Sequence, residues 1–312
     1  MEHRPVLWQE CLEALNVRSG GTYVDCTVGG GGHGIKILEQ SSPTGRLIGI
    51  DRDPQAIERV RRRLASFGSR AILVHGNLRD LERLMAQAGF EEVDGVLMDL
   101  GISILQLKAP ERGFGFQVDA PLDMRMNQDE QGVTAQDIVN REERVSLGKI
   151  LLSYGEEKRW RPIVNAIVRA RAEKPIETTR ELAMIIEKAL PGARRYKIHP
   201  ATRAFQALRI AVNDELNALR EGLKGAVKLL RNGGRLCVIA FHSLEDRIVK
   251  QYMQEMARGC ICPPRLAVCA CGQSPLLKLV SRGAIRPAPQ EVRENPPSRS
   301  ARLRVAEKLR GG

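Results

Sequence analysis

The sequence predicts an α/β chain: an open parallel sheet interrupted by an inserted all-helical domain. Three observations predict it. Over the first hundred residues, short β-prone runs alternate with helical patterns, the signature of βαβ units. From 105 to 204 no convincing strand is seen, and helix-opening signals take over. A β-prone run then returns at 235–241. The expected division is a discontinuous sheet domain, 1–104 with 205–312, and a helical insertion, 105–204, suited to substrate recognition.

The elements follow in order. Residues 22–28 (TYVDCTV) form the first expected strand and run into glycines. Arg46–Asp51, Ala71–His75 and residues 93–100 are the next three. Between the second and third, Pro54 opens a helix whose apolar residues Ile57, Val60 and Leu64 recur at helical period. In the insertion, Thr134 with Asp137 and Thr178 with Glu181 have capping-box spacing, and 159–172 reads as helix. A long helix is expected over 204–230, with Phe205, Leu208, Val212, Leu216 and Leu219 in phase, stopped by Asn232-Gly233-Gly234. The strand at 235–241 precedes a helix reaching Met256, and 301–306 is a candidate last strand.

Composition narrows the function classes. The 312 residues are 43% hydrophobic and 28% charged, an ordinary globular mix for about two domains. No apolar run reaches the roughly 18 residues of a membrane span, and the opening residues lack a signal region, so a cytoplasmic protein without membrane contact is expected. Forty-nine basic against 37 acidic residues give a net charge of +12, which favours a polyanionic partner such as nucleic acid. The plain alternative is a charge that serves solubility alone.

The first strand leads into Gly29-Gly30-Gly31-Gly32-His33-Gly34. Glycines allow a sharp turn and close approach to a ligand, and the helix that follows offers free N–H groups at its start. Asp51 ends the second strand, where a carboxylate can accept hydrogen bonds from ribose hydroxyls. Together these make an adenosine-cofactor site. The spacing Gly29-x-Gly31-x-x-Gly34 also fits the dinucleotide fingerprint, so NAD and an oxidoreductase stay open. Asp25, just before the loop, favours S-adenosylmethionine, which carries positive charge.

Ligands of an open parallel sheet sit beyond the carboxyl ends of its strands. Asp99 lies at such an end. An acceptor there can hold the N–H groups of a base amine, helping its nitrogen become tetrahedral for attack on a methyl donor. The alternative for Asp99 is a helix cap or an ion pair. His242 follows the fifth expected strand and either meets a target nucleotide or fixes its own loop. Arg203 and Arg209 are candidate phosphate or base contacts, or solvated helix charges. Arg194-Arg195-Tyr196-Lys197 pairs cations with a ring, as RNA surfaces do, or is a solvated loop. Asp123-Met124-Arg125-Met126 reads as a lid or as core packing.

Of seven cysteines, Cys260, Cys262, Cys269 and Cys271 crowd into one short stretch. An odd count without a signal region argues against a disulfide framework. Four thiolates could hold a structural zinc, although knuckles usually separate their cysteines by two or more residues, and thiols packed in a loop are the alternative.

Several motifs together resemble the bacterial small-subunit ribosomal RNA (cytosine-N4)-methyltransferases. They include Asp25-Cys26-Thr27 with Gly31-Gly32-His33, Ile50-Asp51-Arg52-Asp53-Pro54, Val96-Leu97-Met98-Asp99-Leu100-Gly101, Glu111-Arg112-Gly113-Phe114, Tyr154-Gly155-Glu156-Glu157 and Phe241-His242-Ser243-Leu244-Glu245-Asp246-Arg247. The resemblance runs almost end to end. It implies a class I S-adenosylmethionine-dependent (Rossmann-like) methyltransferase, with a cytidine of the ribosomal decoding region as acceptor and small-subunit RNA or the small subunit as partner. It also implies cofactor contacts at Gly31, Gly32, His33, Asp51, Leu78, Asp99 and Gln106. At Leu78 the family usually carries a bulky apolar residue against the adenine. The chain departs from the family pattern at Ile104-Leu105, where a serine and a proline are usual. A same-fold enzyme acting on DNA or a protein amine, and an assembly factor that only binds RNA, remain alternatives. Oligomeric state is open, a homodimer included.

Overall fold

The computed structural model describes residues 4–191, 198–260, 262 and 271–310. They fall into two compact units, Met1–Gly101 with Leu216–Gly312, and Ile102–Glu215.

The first unit holds a seven-stranded sheet: β1 Thr22–Asp25, β2 Arg46–Asp51, β3 Ala71–His75, β4 Val93–Asp99, β5 Leu230–Ala240, β6 Leu277–Leu279 and β7 Arg302–Lys308. Their order is β3-β2-β1-β4-β5-β7-β6. The pairs from β3 across to β5 are parallel, and β7 runs antiparallel to both β5 and β6. This is the strand order of the class I methyltransferase fold. Side chains alternate between two cores, as a period of two requires. Val96 and Met98 of β4, with Leu236 and Val238 of β5, enter one core. Leu97, Cys237 and Ile239 enter the other. With both faces covered, the central strands read as near-continuous apolar runs.

Register sets where the acids stand. Asp25, the last residue of β1, is level with Gly49 and with Leu97 of β4, so β4 carries Asp99 two residues farther along. Asp51 closes β2 level with His75. Strand β6 escaped prediction because its three residues contribute a single buried side chain, Leu277.

The second unit is helical, with helices Ala135–Arg141, Arg144–Gly155, Trp160–Glu173, Thr179–Ala189 and Thr202–Asn213 around one apolar core. Among its described residues, the β-pairing is a single bridge, Pro121 with Thr178. Both expected capping boxes form: the Thr134 and Thr178 side chains accept from the N–H of Asp137 and Glu181, each of which reaches back to its cap. Each cap contributes about 1 kcal/mol. Met124 is fully buried in this core despite its positive φ of 63°. Arg125 forks onto Asp123 at 2.9 and 2.8 Å. Asp123-Met124-Arg125 is therefore a packed turn, and the lid reading gives way to core packing.

The expected helix over 204–230 is two helices. Asp214 adopts the left-handed conformation, φ 49°, between Thr202–Asn213 and Glu215–Leu229. Ala204, Phe205 and Leu208 pack into the helical core, whereas Leu219 and Leu223 pack under the sheet. The chain thus re-enters the sheet unit at Leu216 and not at 205. One left-handed residue leaves the apolar phase nearly intact, so periodicity alone read through the break.

Candidate active site

Three carboxyls gather at the carboxyl ends of β1, β2 and β4. Asp25 is 1% exposed. Its Oδ1 accepts the Thr27 N–H at 3.1 Å. Burial, against the hydrogen bond from Thr27 and with the added charge of Asp51, pushes its pKa up to about 7. Asp51 spends both oxygens on backbone: Oδ2 accepts from Gly29 N–H at 2.8 Å and Oδ1 from Asp53 N–H at 2.9 Å. Burial still lifts its pKa to about 6. The sequence marks Asp51 as a ribose acceptor; the fold shows that it also ties the glycine loop to β2. Each oxygen retains a second lone pair for a ligand hydroxyl.

Asp99 is held by its backbone, whose N–H donates to Thr27 Oγ1 at 2.7 Å. Its Oδ1 is buried without a hydrogen-bond partner among the described residues. Burial first, then the charges of Asp25 and Glu245, push its carboxyl well above the usual range. A buried acceptor left unpaired costs about 1–3 kcal/mol, so the group awaits a donor. The cap and ion-pair readings of Asp99 do not account for this atom.

His33 is buried, and its Nε2 lies 2.9 Å from the Val6 carbonyl oxygen. A carbonyl can only accept, so Nε2 carries the proton and Nδ1 is turned to Asp99 Oδ2, 3.6 Å away. That separation is too long for a direct hydrogen bond. Gly31 has φ 78° and caps helix Gly32–Gln40 without a side-chain hydrogen bond. A Cβ on Gly32 would stand 2.4 Å from Pro5 Cγ, so glycine is needed for packing there. Leu78 begins a short 3-10 turn and packs on Gly222, where a Cβ would stand 2.1 Å from its Cδ1.

His242 is the N-cap of helix Ser243–Met256. Its Nδ1 accepts from Glu245 N–H at 3.4 Å, and the Glu245 carboxylate accepts from Phe241 N–H at 2.9 Å and His242 N–H at 3.2 Å. The loop-fixing role is thus realised on both ring nitrogens, since Nε2 lies 3.2 Å from Glu245 Oε1. Asp246 anchors this helix start to β7, taking Arg302 at 2.7 Å and Arg304 at 2.6 Å. Burial raises its pKa, but those two hydrogen bonds outweigh it and hold the carboxyl below its usual range.

Within the helical unit, Gln106 forms a capping box with Ser103: its Oε1 accepts from Ser103 N–H at 3.0 Å. Arg203 is exposed, with a loose pairing to Glu157 at 3.9 Å. Arg209, another candidate RNA contact, already has a partner in the helical unit. It forks onto Glu215 at 2.8 and 2.9 Å, which engages two of its donors inside the fold. Arg195 and its cluster lie outside the described residues. Of the tail cysteines, Cys260, Cys262 and Cys271 converge, and Cys269 lies outside the described residues. Sequence reasoning gave no role to Thr27, which joins Asp25 to Asp99; its only signal was its place in Asp25-Cys26-Thr27. Nothing in the spacing points to Val6 as the group that sets the His33 tautomer.

Buried carboxyls lifted partly by one another attract a cation and repel the pyrophosphate of a dinucleotide. That weighs against NAD. The comparisons agree. The profile of the MraW methylase family matches residues 1–309. This chain belongs to that family. Ribosomal RNA small subunit methyltransferase H of Symbiobacterium thermophilum is 53% identical over 311 residues, covering 99% of this chain and 98% of that one. The protein of the same name from Geobacter sulfurreducens is 53% identical over 308 residues, covering 98% and 99%. That of Heliobacterium modesticaldum is 50% identical over 310 residues, covering 99% of each. A family whose members match from end to end shares both the sheet and the helical insertion. Among the described residues, no helix is long and apolar enough to cross a membrane.

Proposed function

We propose that this chain transfers a methyl group from S-adenosylmethionine to the exocyclic N4 of a cytidine in the decoding region of small-subunit (16S) ribosomal RNA, in the cytoplasm. The observation that carries this reading is Asp99 Oδ1, a buried acceptor without a partner at the carboxyl end of β4.

The donor fits the residues present. The glycine loop leaves room for close approach, Asp51 keeps lone pairs for ribose hydroxyls, and the carboxyls of Asp25 and Asp99 answer a cation. Gly31, Gly32, His33 and Leu78 complete the contacts within the sheet unit, and Gln106 is the further contact that the family resemblance implies. When bound, the donor supplies an electrophilic methyl on a positively charged sulfur.

The protein's own contribution is placement. Asp99 accepts a hydrogen bond from the cytosine amino group, loosening its lone pair from the ring and fixing its direction. No strong base is needed for attack, since the proton can leave after the nitrogen has become tetrahedral. Most of the rate comes from alignment, which is worth several kcal/mol. The target base reaches the site by leaving its stack. Arg286 and Arg299, which line a cavity with His242 and Ser243, supply cations for flanking phosphates. Arg203, Arg209 and Arg195 are the RNA contacts proposed from the sequence. The tail cysteines take no part in this chemistry.

The test combines the protein with labelled donor and undermethylated small subunits, followed by nucleoside analysis by mass spectrometry. Labelled N4-methylcytidine that disappears with Asp99→Ala is expected. Donor binding without any labelled nucleoside would sink the reading.

Donor affinity should also depend on pH. Asp25 and Asp51 have pKa values raised to about 7 and about 6, so both are ionised only above that range. Affinity for the cationic donor should fall as pH drops through it, and Asp25→Asn should flatten the profile. The stability of the ligand-free protein should move the other way. A folded pKa above the unfolded 3.8 means the native state binds the proton more tightly, so stability declines as pH rises from about 4 to about 7. Calorimetric titration and thermal melts across this range check both signs.

A further inference from the structure

We propose that Cys260, Cys262 and Cys271 form a structural site for a thiophilic divalent cation of the zinc class. The three sulfurs all lie within 4.8 Å of one another. Cys271 Sγ stands 3.7 Å from Cys260 Sγ. A tetrahedral zinc with bonds of about 2.3 Å places its sulfurs about 3.8 Å apart. A disulfide would need about 2 Å.

A second observation points the same way. The Cys262 N–H is directed at Cys260 Sγ, 3.4 Å away. Backbone N–H groups aimed at a ligand sulfur offset the negative charge of a metal-bound thiolate, the outer-shell support such sites require. The one-residue gap between Cys260 and Cys262, an objection at the level of sequence, does not keep their sulfurs apart.

The position in the fold suggests the purpose. Cys260 lies just past helix Ser243–Met256, and Cys271 precedes β6, the outermost strand of the sheet. At the base of this segment, Leu276 N–H donates to the Met256 carbonyl at 2.8 Å. Strand β6 is short and anchored by one buried side chain, so it adds little stability of its own. A cation bridging Cys260 and Cys271 ties two points eleven residues apart and pins an otherwise weak edge. None of the three cysteines belongs to the reaction site, so its role is architectural.

The full chain, purified under reducing conditions without chelator, should carry about one zinc per molecule by elemental mass spectrometry. Cys260→Ser and Cys271→Ser should each lower that content at least ten-fold. Cobalt added to metal-stripped wild-type protein should give the intense thiolate-to-cobalt charge-transfer absorption, a readout that survives if a variant fails to fold. Chelation should speed proteolysis between Met256 and Leu277 in the wild type but not in Cys271→Ser. Wild-type protein that neither retains zinc nor takes up zinc or cobalt while its thiols remain reduced would overturn the proposal, as would a Cys260–Cys271 disulfide in protein from reducing cells. Methyl transfer is measured separately, so either result leaves the reading of the reaction site standing.

Discussion

Asp99→Ala is expected to lower the rate of methyl transfer by about 10²–10³-fold at saturating donor, the usual loss when one oriented group facing the reacting atoms is removed. Donor affinity should change much less. The ligand-free protein should melt at a higher temperature, because Asp99 keeps a buried oxygen without a partner and a carboxyl whose pKa burial, Asp25 and Glu245 raise. Removing a strained polar group from a reaction site relieves the fold while disabling the chemistry. Asp99→Asn, which keeps an acceptor oxygen of similar reach, should recover part of the rate. Single-turnover kinetics, donor titration and a thermal melt on the same preparations decide it. An unchanged rate ends the role given to Asp99, and a slow variant that also melts early would assign the loss to folding.

Asp51→Ala should have the opposite profile. Its carboxylate accepts from Gly29 and Asp53, so the loop that cradles the donor loses its tie to β2 together with the ribose acceptor. Hydrogen bonds to a charged group contribute about 1.5–3 kcal/mol each, so donor affinity should fall by about 10²-fold or more. The rate at saturating donor should stay within a few-fold of wild type, because Asp99 and its support from Thr27 are untouched. Calorimetry and single-turnover rates at raised donor concentration check the split. Unaltered affinity would place the ribose elsewhere, and a rate loss at saturation would give Asp51 a part in alignment.

Much of the sheet was legible because β-strand signals are local. Arg46–Asp51 and Ala71–His75 match their expected bounds, and the two capping boxes lie where Thr and an acid stand three residues apart. What failed had weak or misleading local signals. Strand β6 is too short to show a period. The helix break at Asp214 preserves the apolar phase on both sides of it. The partner that Arg209 meets, Glu215 six residues later, is likewise not announced by any local spacing.

The site divides in the same way. The glycine loop, the acids at the strand ends, the family and therefore the donor are readable along the chain, because these depend on residue type at short, fixed spacing. What those residues can do depends on partners that folding brings to them. Val6, 27 residues from His33, sets its tautomer. Thr27 and Asp99, 72 apart, meet because β1 and β4 are neighbours. Cys260 and Cys271, eleven residues apart, bring their sulfurs within 3.7 Å. Protonation, tautomer and orphaned hydrogen-bond capacity arise from burial and from partners brought in across the chain, and neither burial nor partner is written in local spacing.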